Sequence, residues 1–178
     1  VHLSIGDREA AIMSGEQRIV GGLKALDLRL GERRFVVPPG AFFQLNTEQL
    51  VRAHRLLREY RKSQSDRESE VPDADTSSTL VDLYCGVGVH GIALATAGEL
   101  LVGCDVAPIA IEAAETNAAR AGVKAEFAAV ADRDVVAWLS ERLPSELPLE
   151  PMTPDPGSVD VGQSEMIVNP PRAGLATE

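Results

Sequence analysis

A glycine-rich stretch holds the residues whose types and spacing point most directly to chemistry: Gly86-Val87-Gly88-Val89-His90-Gly91. It stands where a first predicted strand turns into a first predicted helix. There Gly86 and Gly88 would let the backbone approach a ligand closely, and the helix N-terminus would offer free N–H groups. Asp105, 17 residues after Gly88, is predicted to end the second strand, where a carboxylate could accept hydrogen bonds from ribose hydroxyls. These features predict an adenosine-type ligand and leave NAD and S-adenosylmethionine both open.

Two further features favour S-adenosylmethionine over NAD. Asp82 precedes Gly86 by four residues, so its carboxylate reaches the carboxyl end of the first strand. There it could receive the ammonium of a methionine moiety but would repel a pyrophosphate. The fourth predicted strand ends in the rigid turn Asn169-Pro170-Pro171-Arg172, beside the switch point between strands one and four, where ligands bind in open sheets.

Cysteines and histidines are few. Cys85 and Cys104 are the only cysteines, and we expect both to be small apolar packing residues, because free cysteine is among the most buried residue types. Two cysteines cannot form a disulfide framework or a multi-cysteine metal centre, so no metal is expected. His54 and His90 are predicted to lie on helix faces, with no chemistry of their own.

The elements that must position these residues follow one pattern from Thr79 onward. Strands alternate with helices, which predicts a parallel sheet with right-handed crossovers. Pro108 suits the first turn of its helix, and Gly122 suits the position just past its end. The predicted strands cover 80–84, 100–106, 125–130 and 166–169, and the predicted helices cover about 91–97, 108–121 and about 134–143.

The first half of the chain has a different organisation. Residues 1–40 alternate β-favouring runs (1–5, 25–30 and 34–37) with turn signals, which predicts the tail of a β-rich module. A connecting loop and helix are expected over 41–62, with Asn46 as the helix cap and Gln49 three residues on. Residues 63–78 are almost wholly polar and are predicted to be a disordered linker. Residues 79–178 would then be the N-terminal part of the main domain, with an irregular proline-rich insertion at 144–164.

The charge is distributed unevenly. The formal net charge of −10 divides into +4 for residues 1–62 and −14 for residues 63–178. Because Lys and Arg drive contact with phosphates, any polyanion contact is expected in the first third. The longest apolar runs are far shorter than the roughly 20 residues a membrane span needs, and the N-terminus lacks a signal pattern. We therefore expect no membrane partner, and a cytoplasmic, reducing location.

In four segments taken together the chain resembles the uracil-5-methyltransferases that modify ribosomal and transfer RNA. The order and context of these segments match over about residues 35–175, and Asn169 opening the Pro-Pro-Arg motif is most similar to the branch that acts on 23S ribosomal RNA. The segments are Phe42-Phe43-Gln44-Leu45-Asn46, Asp82-Leu83-Tyr84-Cys85-Gly86-Val87-Gly88, Gly103-Cys104-Asp105-Val106 and Val168-Asn169-Pro170-Pro171-Arg172-Ala173-Gly174.

This resemblance implies an α/β fold: a Rossmann-like S-adenosylmethionine-dependent methyltransferase core with an incomplete parallel sheet, preceded by a short β-rich segment. It implies that Gln44, Tyr84, Asp105 and Asn169 contact the cofactor, in addition to the predicted roles of Asp82, Gly86 and Gly88. The family attacks uracil C6 with a cysteine thiolate and removes the C5 proton with a glutamate. Both residues lie downstream of the Pro-Pro-Arg motif. We therefore expect a monomeric chain, truncated at both ends, that binds RNA and cofactor but holds no catalytic residue.

Alternatives remain at this stage. An amino-group methyltransferase could use the Asn-Pro-Pro motif, although Arg172 stands where such enzymes carry an aromatic ring. A cofactor-binding or RNA-binding remnant without catalysis is the alternative from another class, and an NAD dehydrogenase is the least favoured. For single residues, Asp82 and Asp105 could be strand-end caps, and Tyr84 could simply cover the sheet.

Overall fold

The computed structural model describes residues 2–5, 16–19, 22, 24–68, 78–143 and 164–168. The strands are β1 (His2–Ile5), β2 (Glu16–Ile19), β3 (Leu26–Leu30), β4 (Arg33–Val37), β5 (Thr79–Leu83), β6 (Leu100–Asp105), β7 (Ala125–Ala129) and β8 (Ser164–Val168). The α-helices are α1 (Thr47–Glu68), α2 (Val89–Leu94), α3 (Pro108–Ala121) and α4 (Val135–Ser140), the last preceded by a 3-10 turn at Asp132–Asp134.

The main sheet is parallel and has the order β7-β6-β5-β8. Strand β8 therefore pairs with β5 rather than with β7, which precedes it in the chain, and Val168 lies opposite Leu83. The sheet therefore extends from β5 to one side through β6 and β7, and to the other side through β8. The predicted α/β architecture and the predicted switch point between the first and fourth strands of this sheet are both confirmed.

The central strands are buried on both faces because they consist of continuous apolar runs, as parallel strands between helices require. Successive side chains point to opposite faces of the sheet. Leu80 of β5 and Leu101 of β6 pack into one cluster with Ile92 of α2, whereas Val81 and Val102 pack into a second cluster. That second cluster lies beside α4 and includes Trp138 and Leu139.

The hairpin of β3 and β4 packs on the first of these clusters. The strands are antiparallel and join at Gly31, whose φ of 62° suits a tight turn. Phe35 and Val37 of β4 are buried in the same cluster as Leu80. A second antiparallel pair joins β1 to β2, and β2 was not predicted because Glu16-Gln17-Arg18 carries no apolar alternation.

Helix α1 extends beyond its predicted end at about Arg61, into the segment predicted as a linker. Residues 62–68 contain no glycine or proline and several good helix formers, so no residue in this stretch interrupts the helix. Residues 69–77 of that predicted linker, and residues 144–163 of the predicted insertion, lie outside the described residues; Ser164 already belongs to β8. Within the described ranges, no helix combines the length and the apolar character that crossing a membrane requires.

Candidate functional site

The glycine-rich turn connects β5 to α2 at the carboxyl edge of the sheet. The Gly88 N–H donates to the Cys85 carbonyl oxygen at 2.8 Å, which closes the turn. Gly88 has a φ of 77°, and a Cβ atom there would lie 2.8 Å from Ile92 Cδ1 and 3.3 Å from Ala114 Cβ. Both the backbone conformation and the lack of space therefore require glycine at this position. Gly86 also has a left-handed φ, of 53°, but a Cβ atom there would make only an ordinary contact with the Phe42 carbonyl oxygen.

Asp105 ties this turn to the end of β6. Its Oδ2 accepts a hydrogen bond from the Gly86 N–H and its Oδ1 accepts one from the Ala107 N–H, both at 2.9 Å. The strand-end role that the sequence left open is therefore present. A carboxylate has about four acceptor positions, so a partly exposed Asp105 retains capacity for ribose hydroxyls. The predicted ribose contact stays a prediction.

Asp82 lies beneath the turn and is fully buried. Its Oδ2 accepts a hydrogen bond from the Gly91 N–H at 2.8 Å, while its Oδ1 has no hydrogen-bond partner among the described residues. Burial raises the pKa of Asp82 to about 7, opposed by the Gly91 hydrogen bond and reinforced by the negative charge of Asp105. An unpaired buried carboxylate oxygen fits a cationic group such as an ammonium. The contact itself remains a prediction.

Tyr84 has a φ of 58° and is the non-glycine residue with a left-handed backbone in the described ranges. Such strain is concentrated at functional sites, where the surrounding structure enforces it. Its side chain packs at the margin of the cluster that contains Val81 and Trp138. Covering the sheet is thus an observed role of Tyr84, and packing against an adenosine is still a prediction.

The segment around Gln44 lies against the glycine-rich turn. A Cβ atom built at Gly86 would be 3.7 Å from the Phe42 carbonyl oxygen. The side chains of Phe42 and Leu45 are exposed, to 65% and 95%, and Gln44 is exposed too, whereas Phe43 packs against the cluster of Leu80. Asn46 caps α1 as predicted, because its Oδ1 accepts the Gln49 N–H at 3.1 Å. The fold thus brings together the regions of Gln44, Asp82, Tyr84, Gly86, Gly88 and Asp105.

Asn169 and the Pro-Pro-Arg motif lie outside the described residues. Strand β8 ends at Val168, directly beside the end of β5, so the strand that leads to the motif runs toward the same edge as the glycine-rich turn. The two cysteines are buried and free, as predicted. Burial raises the pKa of Cys104 to about 11 and raises that of Cys85 still further, so neither thiol is a nucleophile at neutral pH.

Polar contacts around α2 were missed by the sequence reasoning. Arg33 donates to the Ile92 carbonyl oxygen, Arg58 to that of Ala93 at 2.9 Å, and Arg61 to that of Leu94 at 2.5 Å. These carbonyls belong to the last turn of α2, which lacks further helical donors. Arg61 also pairs with buried Glu99 at 2.6 Å and with Glu165 of β8.

The two histidines, both predicted to lie on helix faces, are in contact with each other. His54 Nε2 lies 3.1 Å from His90 Nδ1, with the rings edge to face. Burial lowers the pKa of His54 to about 4, with smaller effects from His90 and Arg58. A signal was present in the sequence: His54, Arg58 and Arg61 have the i, i+4, i+7 spacing of one helix face.

Comparison with known proteins adds to this geometry. The family model for the Ribosomal protein L11 methyltransferase (PrmA) matches residues 68–143, which contain β5 to α4. The chain superposes on the crystal structure of Pyrococcus abyssi tRNA (uracil-54, C5)-methyltransferase in complex with S-adenosyl-L-homocysteine, with a TM-score of 0.60 and 28% identity over 98% of this chain and 35% of that one. The α/β fold with its parallel four-stranded sheet is structurally similar to that of S-adenosylmethionine-dependent methyltransferases.

Relatives found by sequence comparison include RNA methyltransferases. A tRNA (uracil(54)-C(5))-methyltransferase of Pyrococcus furiosus is 27% identical over 98% of this chain and 34% of its own length. An uncharacterised RNA methyltransferase of Listeria monocytogenes serovar 1/2a is 32% identical over 94% of this chain and 30% of its own length. The chain is a homologue of these RNA methyltransferases, and it spans about a third of their length.

Proposed function

We propose that this chain binds S-adenosylmethionine and serves in methyl transfer to C5 of uridine in RNA. One observation carries the proposal. The unpaired oxygen of Asp82, the turn held by Asp105 and the segment of Gln44 converge at the switch point of a parallel sheet. The Pyrococcus abyssi relative, which superposes on 98% of this chain, is described in complex with S-adenosyl-L-homocysteine.

The residues at this edge suit different parts of the cofactor. Asp105 would accept hydrogen bonds from the ribose hydroxyls, and Asp82 would interact with the methionine ammonium. Gly86 and Gly88 let the backbone pass close to the cofactor, whereas Tyr84 would pack beside the adenosine. Gln44 and Asn169 would complete the contacts from the two flanking segments. The cofactor supplies the electrophilic methyl group, and these side chains bind and orient it.

RNA is the proposed partner because the relatives are RNA methyltransferases, and because Lys and Arg exceed acidic residues in the first third of the chain. The relatives described with a target act on uracil-54 of tRNA, whereas Asn169 resembles the branch that acts on 23S ribosomal RNA. Both RNAs are therefore tested as substrates. We also propose that the protein is cytoplasmic and monomeric.

Calorimetric titration tests the cofactor half of the proposal. S-adenosylhomocysteine should bind saturably and NADH should not. Asp105→Ala should weaken that affinity on the order of tenfold or more through loss of a charged hydrogen-bond acceptor. Glu126→Ala, an exposed carboxylate on β7, is the matched control and should leave affinity unchanged. A folded chain that binds NADH, or neither ligand, would contradict the proposal.

Deletion of the encoding gene tests the RNA half. Mass spectrometry of nucleosides from purified tRNA and 23S ribosomal RNA should show 5-methyluridine lost from one of the two pools, which identifies the target. Loss of an amino-methylated base instead would support the Asn-Pro-Pro alternative. Unchanged methylation in both pools would favour a role without catalysis.

A further inference from the structure

Asn117 is a buried polar residue that the proposed cofactor contacts do not use. It lies on α3 with no exposed surface, on a face otherwise formed by small apolar side chains such as Ala113, Ala114 and Ala118. A carboxamide buried among alanines lowers stability unless its polar atoms are hydrogen-bonded. Its neighbours therefore determine what it does.

The carboxamide makes three hydrogen bonds. Its Oδ1 accepts a hydrogen bond from the Val36 N–H at 2.7 Å. Its Nδ2 donates to the Val36 carbonyl oxygen at 3.1 Å and to the Val87 carbonyl oxygen at 3.0 Å. The side chain thus uses both donors and its acceptor, and it joins two parts of the chain that are distant in sequence.

On the Val36 side, the carboxamide bonds to both backbone polar groups of one residue, as a neighbouring strand would. Val36 lies opposite Asp27 in the β3–β4 hairpin, yet its N–H and its carbonyl oxygen both bond to Asn117. Strand β4 then leads through Pro38 to the segment that carries Gln44. Asn117 therefore fixes the strand from which that segment departs.

On the Val87 side, the carboxamide holds the middle of the glycine-rich turn. Val87 lies between Gly86, whose N–H donates to Asp105, and Gly88, whose N–H closes the turn on Cys85. The turn is thus held from β6 by Asp105 and from α3 by Asn117. We infer that Asn117 is a positioning residue that sets the glycine-rich turn and strand β4 in register, and so places both sides of the proposed cofactor site.

The expected effect of Asn117 on cofactor binding rests on the proposed function, whereas its expected effect on the turn does not. Hydrogen exchange therefore tests it directly. In the unmodified chain, the Nδ2 protons of Asn117 should exchange slowly and show nuclear Overhauser contacts to Val36 and Val87. Their absence would overturn the inference without any substitution.

The variants Asn117→Leu and Asn117→Ser test the consequence for the turn. Each removes the Nδ2 donor to the Val87 carbonyl oxygen, and the smaller Asn117→Ser is used if Asn117→Leu does not fold. Amide exchange at Gly86 and Gly88 should accelerate about tenfold more than exchange at Leu101 in β6. Ala113→Gly weakens the same helix without touching the turn, and should accelerate all three amides equally.

Binding of S-adenosylhomocysteine to the same variants completes the test. The dissociation constant should rise about tenfold for the Asn117 variants and stay unchanged for Ala113→Gly. If the unmodified chain does not bind, the proposed function fails, while hydrogen exchange still decides the role of Asn117. If Gly86 and Gly88 exchange in step with Leu101, or affinity is unchanged in a chain that binds, Asn117 has a merely structural role.

Discussion

The start and the end of α2 are held by different chemistry. At the start, the Asp82 carboxylate accepts the Gly91 N–H and keeps one oxygen unpaired beneath the glycine-rich turn. At the end, guanidinium groups of Arg33, Arg58 and Arg61 satisfy successive carbonyls of the last turn. At the start, one Asp82 oxygen has no hydrogen-bond partner among the described residues, whereas at the end the last carbonyl oxygens of the helix are hydrogen-bonded.

The two ends of α2 also differ in which part of the chain holds them. The guanidinium groups come from β4 and α1, so the first 62 residues hold the end of α2 in place, with positive charge where the helix dipole favours it. The start of the helix is left to the turn and the sheet. The unpaired oxygen of Asp82 therefore lies at the end of α2 that these guanidinium groups do not hold.

The largest expected effect is at the anchored end. Arg61→Ala leaves Glu99 buried without its cation and removes the donor to Leu94, and it should lower the free energy of unfolding by about 4 kcal/mol. Urea denaturation measures this. Arg55→Ala, which breaks an exposed pair with Glu59 on the same helix, should change it by less than about 0.5 kcal/mol. Equal losses in the two variants would show that burial of the pair is unimportant.

A pH-dependent effect is expected at the start of the helix. Burial raises the pKa of Asp82 to about 7. Below that pH the folded state keeps the Asp82 proton, whereas the unfolded state releases it once the pH exceeds the ordinary pKa of aspartate. The contribution of this group alone should lower stability by about 3 kcal/mol as pH rises from 5 to 8. Asp82→Asn should remove that loss in urea denaturation at the two pH values. The exposed Glu112→Gln should retain the parental slope, and a parental slope in Asp82→Asn would refute the assignment.

The opposite pH dependence is expected between α1 and α2. Burial lowers the pKa of His54 to about 4, so protonation is disfavoured in the folded state and stability falls as pH drops below about 6.5. Between pH 7 and 5 this amounts to about 2 kcal/mol. Because Asp82 contributes with the opposite sign, urea denaturation of variant and parent is compared at both pH values. The stability of His54→Gln relative to the parent should be about 2 kcal/mol higher at pH 5 than at pH 7. The same substitution at His2, in β1, serves as the control, and matching slopes would argue against His54.

The smallest effect is expected for a single carbonyl partner. Arg58→Ala removes one donor from the Ala93 carbonyl and should lower the free energy of unfolding by about 1 kcal/mol. Arg52→Ala, at an exposed position on the same helix, should have almost no effect. If both variants are neutral, the end of α2 depends on Arg33 and Arg61 alone.

The sequence predicted those elements whose ends are marked by particular residues. Helix α3 has its predicted bounds because Pro108 opens it and Gly122, with a φ of 66°, closes it. Helix α1 begins at its predicted cap, but no glycine or proline marks its end, and its polar final turns were mistaken for a linker. Strand β2 has no apolar alternation, so its pairing with β1 could not be foreseen.

The candidate site was predictable in part for the same reason. Asp82, Gly86, Gly88 and Asp105 belong to a local strand-turn-helix pattern, and the structure brings them together. Asn117 gave no such signal, because its partner Val36 is 81 positions away in the chain. Contacts of this range depend on how the elements pack and not on local spacing.

The ion pair of Arg61 with Glu165 also bears on the order of folding. It joins residues 104 positions apart and links α1 to β8, which itself pairs with a strand far upstream. Closing so long a loop costs chain entropy before any contact compensates for it, and slow steps in folding arise from such contacts. Strands β5, β6 and β7 should therefore assemble first, and β8 should join last.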